Sequence, residues 1–207
     1  MKTLTKEMQT SIRPSKALDL LKDGNKRFIN NLKFNRNLLQ MANETSDGQH
    51  PFAVILSCID SRTSAELIFD QGIGDIFSIR IAGNVVNEDI LGSMEFGCKV
   101  AGSKIIVVLG HTKCGAVKGA CDNVELGNLT GLIHKIKPAV DQEDTVNENR
   151  NSSNSIFVEK VAELNVAVSV KNILLHSPII AEMVKNGEIG IVGGVHYIST
   201  GEVTFFE

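Results

Sequence analysis

Tryptophan is absent from this chain, tyrosine occurs once, and no apolar run approaches the roughly 20 residues that a membrane-spanning helix needs. The first absence rules out any pocket built on an indole. The last predicts a chain that does not cross a membrane. Neither sign of charge is in large excess. The 21 basic and 24 acidic side chains leave a net charge of −3, so no overall basic field draws the chain to nucleic acid or to an anionic membrane. The N-terminal stretch MKTLTKEMQTSIRPSKAL has no apolar core and no small-residue cleavage site, so no secretory signal is expected and a cytoplasmic location is. Cysteine is sparse as well. Four cysteines in 207 residues make no disulfide framework, and in a reducing compartment they favour metal binding for at least some of the four. What remains is an ordinary globular composition, 43% hydrophobic and 22% charged, long enough for one sizeable core; residues 1–207 read as a single domain.

Two short motifs stand out against this background: Cys58-Ile59-Asp60-Ser61-Arg62, and later His111-Thr112-Lys113-Cys114. Together they offer two thiolates and one imidazole. A Cys2His set suits one tetrahedral zinc ion whose fourth position stays open, and an open position points to catalysis because a structural site fills all four. Asp60 and Arg62 then read as groups that handle a zinc-bound water. Cys98 lies in a helical pattern and Cys121 near a helix end, so both read as packing residues.

The apolar pattern places these motifs. FAVILS (52–57), residues 76–81, KIIVVLG (104–110) and residues 189–195 are short continuous apolar runs of the kind that form strands buried on both faces. Helical spacing is expected over 15–32, weakened at Gly24, and over 87–101, 115–121, 128–140 and 156–175. Ser177-Pro178 reads as the start of a further helix that ends before Gly187, residues 33–50 read as polar and irregular, and 203–206 as an antiparallel edge strand. The expected fold class is therefore α/β, a mostly parallel central sheet flanked by helices. Cys58 follows the first strand and His111 the third, so both fall at the carboxyl edge of the sheet, where sites in open parallel sheets collect.

CIDSR and HTKCG, with the surrounding SCIDSRTSAELIFDQGIGDIFSIRIAGN and the C-terminal LHSPIIAEMVKNGEIGIVGGVHYISTGEV, resemble the β-class carbonic anhydrases over roughly residues 15–206. The resemblance implies reversible hydration of carbon dioxide to bicarbonate and a proton, by a zinc hydroxide oriented by the Asp60–Arg62 pair. It implies one zinc ion per chain on Cys58, His111 and Cys114. It also implies a homodimer in which an N-terminal helical arm, residues 1–33, packs on the partner, sometimes assembled further into tetramers. Gln49 matches the glutamine of one site subtype, and the missing tryptophan excludes the other. Gln49 and the N–H of Gly115 are expected to bind substrate, with Phe77, Ala82 and Phe96 forming an apolar pocket; Ala82 stands where the family commonly has valine, and Phe96 where it has tyrosine. Two other readings share these residues: a hydrolase of carbonyl sulfide or carbon disulfide on the same scaffold, and a zinc-binding sensor without turnover.

Overall fold

The computed structural model describes residues 3–206. Residues 1, 2 and 207, which complete the expected single domain and begin the expected N-terminal arm, lie outside it. Five strands form one sheet: β1 (Ala53–Ser57), β2 (Ile76–Arg80), β3 (Ile105–His111), β4 (Gly190–His196) and β5 (Val203–Phe206), in the order β2-β1-β3-β4-β5. The first four run parallel and β5 returns antiparallel to β4, as the apolar runs imply. Every residue of β1 and β3 is buried, whereas β2 alternates, as an edge strand does.

Strand alternation divides the core into two faces. Ala53, Ile55, Ile105, Val107 and Leu109 face α2 (Pro14–Ile29) and α4 (Ala65–Ile68). Val54, Leu56, Ile106 and Val108 face α5 (Glu88–Glu95), the long α9 (Ser155–His176) and α10 (Pro178–Lys185). A third cluster lies beyond the carboxyl edge of the sheet. There α6 (Gly115–Cys121), α7 (Gly127–His134) and α8 (Lys137–Gln142) pack on α9 around Cys58 and Cys114. Among the described residues no single helix is long and apolar enough to cross a membrane.

A short α1 (Lys6–Ser11) precedes α2 within the expected N-terminal helical arm. Two local expectations are corrected. Residues 38–44, expected to be irregular, form α3 (Leu38–Glu44), capped by the Asn37 side chain accepting from Gln40 N. The stretch before α3 is pinned by Asp70, which receives Arg27 and Arg36, both of which also lie over the Phe34 ring. The single helix expected over 128–140 is two, α7 and α8, because Pro138 lacks an N–H to continue one and suits the start of another. Ala17 and Leu21 of α2 are fully buried against the chain's own sheet, whereas Ile29 at its far end and Leu32 just beyond are exposed.

Gly24 explains why α2 can lie so close. A Cβ at this position would stand 1.8 Å from the carbonyl oxygen of Phe69, so the glycine permits contact with the end of α4 rather than weakening the helix. Buried Asn25 completes the seam, donating to Ile68 O and Gly201 O and accepting from Val203 N. Gly24→Ala should therefore destabilise the fold by about 2 kcal/mol or more, despite alanine's higher helix propensity, because backbone oxygen cannot rotate away. Urea denaturation checks this; an unchanged midpoint would show that α2 does not dock on Phe69 in this way.

Candidate active site

Cys58 is the first residue beyond β1, and the loop that follows is tied down through its backbone carbonyls. Arg80, the last residue of β2, donates from Nε to Cys58 O at 3.1 Å and from Nη2 to Asp60 O at 2.6 Å. Thr63 Oγ1 donates to Asp60 O at 3.0 Å. His111 ends β3, and Lys113, in the left-handed region at φ 59°, turns the chain so that Cys114 stands at the start of α6. These two strand ends bring Cys58 Sγ, Cys114 Sγ and a His111 ring nitrogen within 4.8 Å of one another, all three residues being buried.

The chemistry of this trio fits a metal ion. His111 Nδ1 lies 2.9 Å from Thr112 O, a contact that places the proton on Nδ1 and leaves a lone pair on Nε2. Nε2 is buried with no hydrogen-bond partner among the described residues. The two sulfurs are 4.0 Å apart, and Gly83 N–H donates to Cys58 Sγ at 3.3 Å. Hydrogen bonding from Cys114 pulls the Cys58 thiol well below its ordinary range, while the same contact and burial push Cys114 up. Two thiolates this close and this buried would repel each other, and a divalent cation is what would let both ionise.

Asp60 stands beside the trio, with Oδ2 4.0 Å from His111 Nε2. Arg62 grips it in a fork: Nε to Oδ1 at 2.9 Å, Nη2 to Oδ2 at 2.7 Å, and the Arg62 backbone N–H to Oδ1 at 2.9 Å. These bonds, the side-chain ones foremost, hold the Asp60 carboxyl well below the usual carboxylate range. An ionised carboxylate only accepts hydrogen bonds, so the arrangement presents a fixed acceptor at the rim of a three-donor cluster.

The remaining expected residues divide. Ala82 opens the Ala82–Asn84 turn that carries Gly83, and Gly115 is the first residue of α6 beside Cys114; both lie at the site. Gln49, Phe77 and Phe96 of the same chain do not. Gln49 is exposed and precedes β1, whereas Cys58 follows it, and a five-residue strand spans about 17 Å. A residue before a strand belongs to the opposite edge of the sheet from one after it. Phe77 pairs in register with Val54, about 13 Å back along β1 from Cys58. It meets Phe96 edge to face at 6.2 Å beside the outer edge of β2, in a groove of about 630 Å³ that also includes Ser78 and Glu88.

Arg80 is not singled out by its sequence context, although a lone arginine closing an apolar strand is a visible signal. Nor is His196, which pairs in register with His111 on the neighbouring strand. Its ring is buried with no partner on either nitrogen among the described residues, and burial pushes its pKa down to about 4.

A family model described as carbonic anhydrase matches residues 53–203. Carbonic anhydrase 2 of Mycobacterium tuberculosis is 33% identical over 91% of this chain and 90% of its own length. The carbonic anhydrase of Mycolicibacterium smegmatis is 33% identical over 92% of each chain. Among solved structures, the β-carbonic anhydrase CcaA superposes with a TM-score of 0.72 at 25% identity, covering 82% of this chain and 85% of that one. By sequence and by fold, this chain belongs to the β-carbonic anhydrase family.

Proposed function

We propose that this protein interconverts carbon dioxide and bicarbonate, releasing a proton on hydration, with one zinc ion per chain on Cys58, His111 and Cys114. The observation that carries the reading is the ionised Asp60 carboxylate, clamped by Arg62 at the rim of the three-donor cluster. Zinc in such a site supplies a Lewis acid that makes water nucleophilic near neutral pH. Asp60 Oδ2 accepts a hydrogen bond from the attacking water, which aims a lone pair of that water at the carbon atom. Arg62 prevents the carboxylate from swinging, through two side-chain N–H groups. Gly115 N–H, at the start of α6, is placed to donate to an oxygen that gains charge as bicarbonate forms. A sensor without turnover has no use for a clamped acceptor at this position. Stopped-flow measurement of proton release from carbon dioxide tests the proposal on zinc-loaded protein. Turnover far above the buffer blank is expected; a blank-level rate at full zinc content would reject it, and hydrolysis of carbonyl sulfide alone would assign the rival activity.

The working unit in this reading is at least a homodimer in the cytoplasm, where the four unpaired cysteines suit a reducing compartment. The outer edge of β2 is unpaired among the described residues, and Phe96 beside it is 54% exposed, with Val100 of the following turn 69% exposed. A second copy across this edge would account for both. It would also account for Gln49, which serves as a substrate donor only at a partner's Cys58, not its own. Co-expressing Cys58→Ser and Gln49→Ala chains separates the possibilities. Gln49→Ala alone should lower kcat/KM by about 10-fold if one useful hydrogen bond is lost. Random pairing should then restore activity to about one quarter of wild type if Gln49 acts across the dimer, and to only about one twentieth if it acts within its own chain. An unimpaired Gln49→Ala homodimer would remove Gln49 from the site altogether.

A further inference from the structure

The long helix α9 is apolar on nearly every side, yet its buried face carries Asn165 and Ser169, at 1% and 2% exposure. The two are four residues apart, one helical turn, and so present their side chains to the same neighbour. Polar groups this deeply buried are costly unless hydrogen-bonded. Their donors find partners on consecutive carbonyls of a single turn, while Asn165 Oδ1 has no partner among the described residues. Asn165 Nδ2 donates to Gly83 O at 2.8 Å, and Ser169 Oγ donates to Asn84 O at 3.0 Å.

That turn is not a relaxed one. Gly83 and Asn84 are successive left-handed residues, at φ 69° and 44°. A Cβ at Gly83 would meet Ile136 Cδ1 at 2.6 Å and Ala116 Cβ at 3.2 Å, so α6 and the residue before α8 also confine the turn. Two αL residues in sequence persist only where their surroundings hold them, and here α9 holds both carbonyls. The other handle on Gly83 is its N–H, which donates to Cys58 Sγ at 3.3 Å.

We infer that Asn165 and Ser169 are positioning residues for the metal centre: they hold the Ala82–Asn84 turn so that Gly83 N–H stays on the Cys58 sulfur. This rests on the reading of Cys58 as a metal ligand. An N–H bonded to a thiolate draws charge from the sulfur, and hydrogen bonds of this kind tune a bound metal as its direct ligands do. Two thiolates make a metal less electrophilic than imidazoles do. The Gly83 contact offsets part of that, and α9 keeps it in place.

Cobalt(II) substitution tests the inference. Asn165→Asp keeps the shape and loses the donor, Asn165→Leu and Ser169→Ala remove the polar group, and Ser169→Thr retains the hydroxyl. The first three should move the thiolate-to-cobalt charge-transfer band to lower energy. They should also change metal affinity, read by competition with a chelator, by about 10- to 100-fold; Ser169→Thr should stay at the wild-type values. Because Asn165→Leu risks misfolding, the Ser169→Ala and Ser169→Thr pair, checked by far-UV circular dichroism, decides the matter by itself. Folded variants with the wild-type band and affinity would overturn the inference while leaving the metal centre intact. Wild-type protein that takes up no cobalt would overturn the metal-centre reading, and this inference with it.

Discussion

Cys58→Ser should leave a folded protein with almost no zinc and no measurable turnover. Serine keeps the size of cysteine but not its acidity, and a thiolate is the form that ligates. The site would retain only the Cys114 sulfur and His111 Nε2, and its loss of affinity should exceed the 10- to 100-fold typical of disturbing an outer partner. Metal analysis by mass spectrometry should find about one zinc per chain in wild type, as a three-ligand catalytic site requires. Cys98→Ser and Cys121→Ser are the controls. Burial pushes these two thiols up to about 12 and about 11, the behaviour of inert packing cysteines, and both variants should keep their zinc. Equal zinc content in Cys58→Ser and wild type would place the metal elsewhere.

Asp60→Asn should keep the zinc and lose the rate. The amide is isosteric, but one of its two positions now donates where the carboxylate accepted, and Arg62 loses the charge that its fork grips. A fall in kcat/KM of about 10²-fold or more is expected, equivalent to about 2.7 kcal/mol of transition-state stabilisation. Zinc content and melting temperature should change little, because Asp60 is not among the three clustered donors and lies at the rim of the site. Activity within about twofold of wild type would reject a catalytic role for the carboxylate. A parallel loss of zinc would recast Asp60 as a support for the metal rather than for the reaction.

The two variants probe residues that are legible in the amino-acid sequence alone. Cys58, Asp60 and Arg62 sit within five residues, and His111 and Cys114 within four, so their grouping depends only on local geometry. That the two groups meet follows from strand order, since apolar runs such as FAVILS and KIIVVLG identify buried parallel strands whose carboxyl ends share one edge. The same logic, carried one step further, puts Gln49 at the opposite edge from its own Cys58. Matching Gln49 to a family position hides the direction of the strand that separates the two.

By itself, then, the sequence determined the α/β class, the grouping of Cys58, His111 and Cys114 and the Asp60–Arg62 pair, because periodicity and close spacing are properties of a short stretch of chain. Only the tertiary structure decided what surrounds them. Arg80 reaches back 22 residues to Cys58 O, and Asn165 reaches 82 residues to Gly83 O. His196 stands beside His111 through strand register alone, and Gly24 is a glycine because Phe69 O occupies the space of its side chain. The Arg80 and Asn165 contacts join side chains to backbone atoms of distant segments. Backbone carbonyls are the same at every residue, so no residue type marks in advance which of them will be met; packing of the helices on the sheet makes that choice.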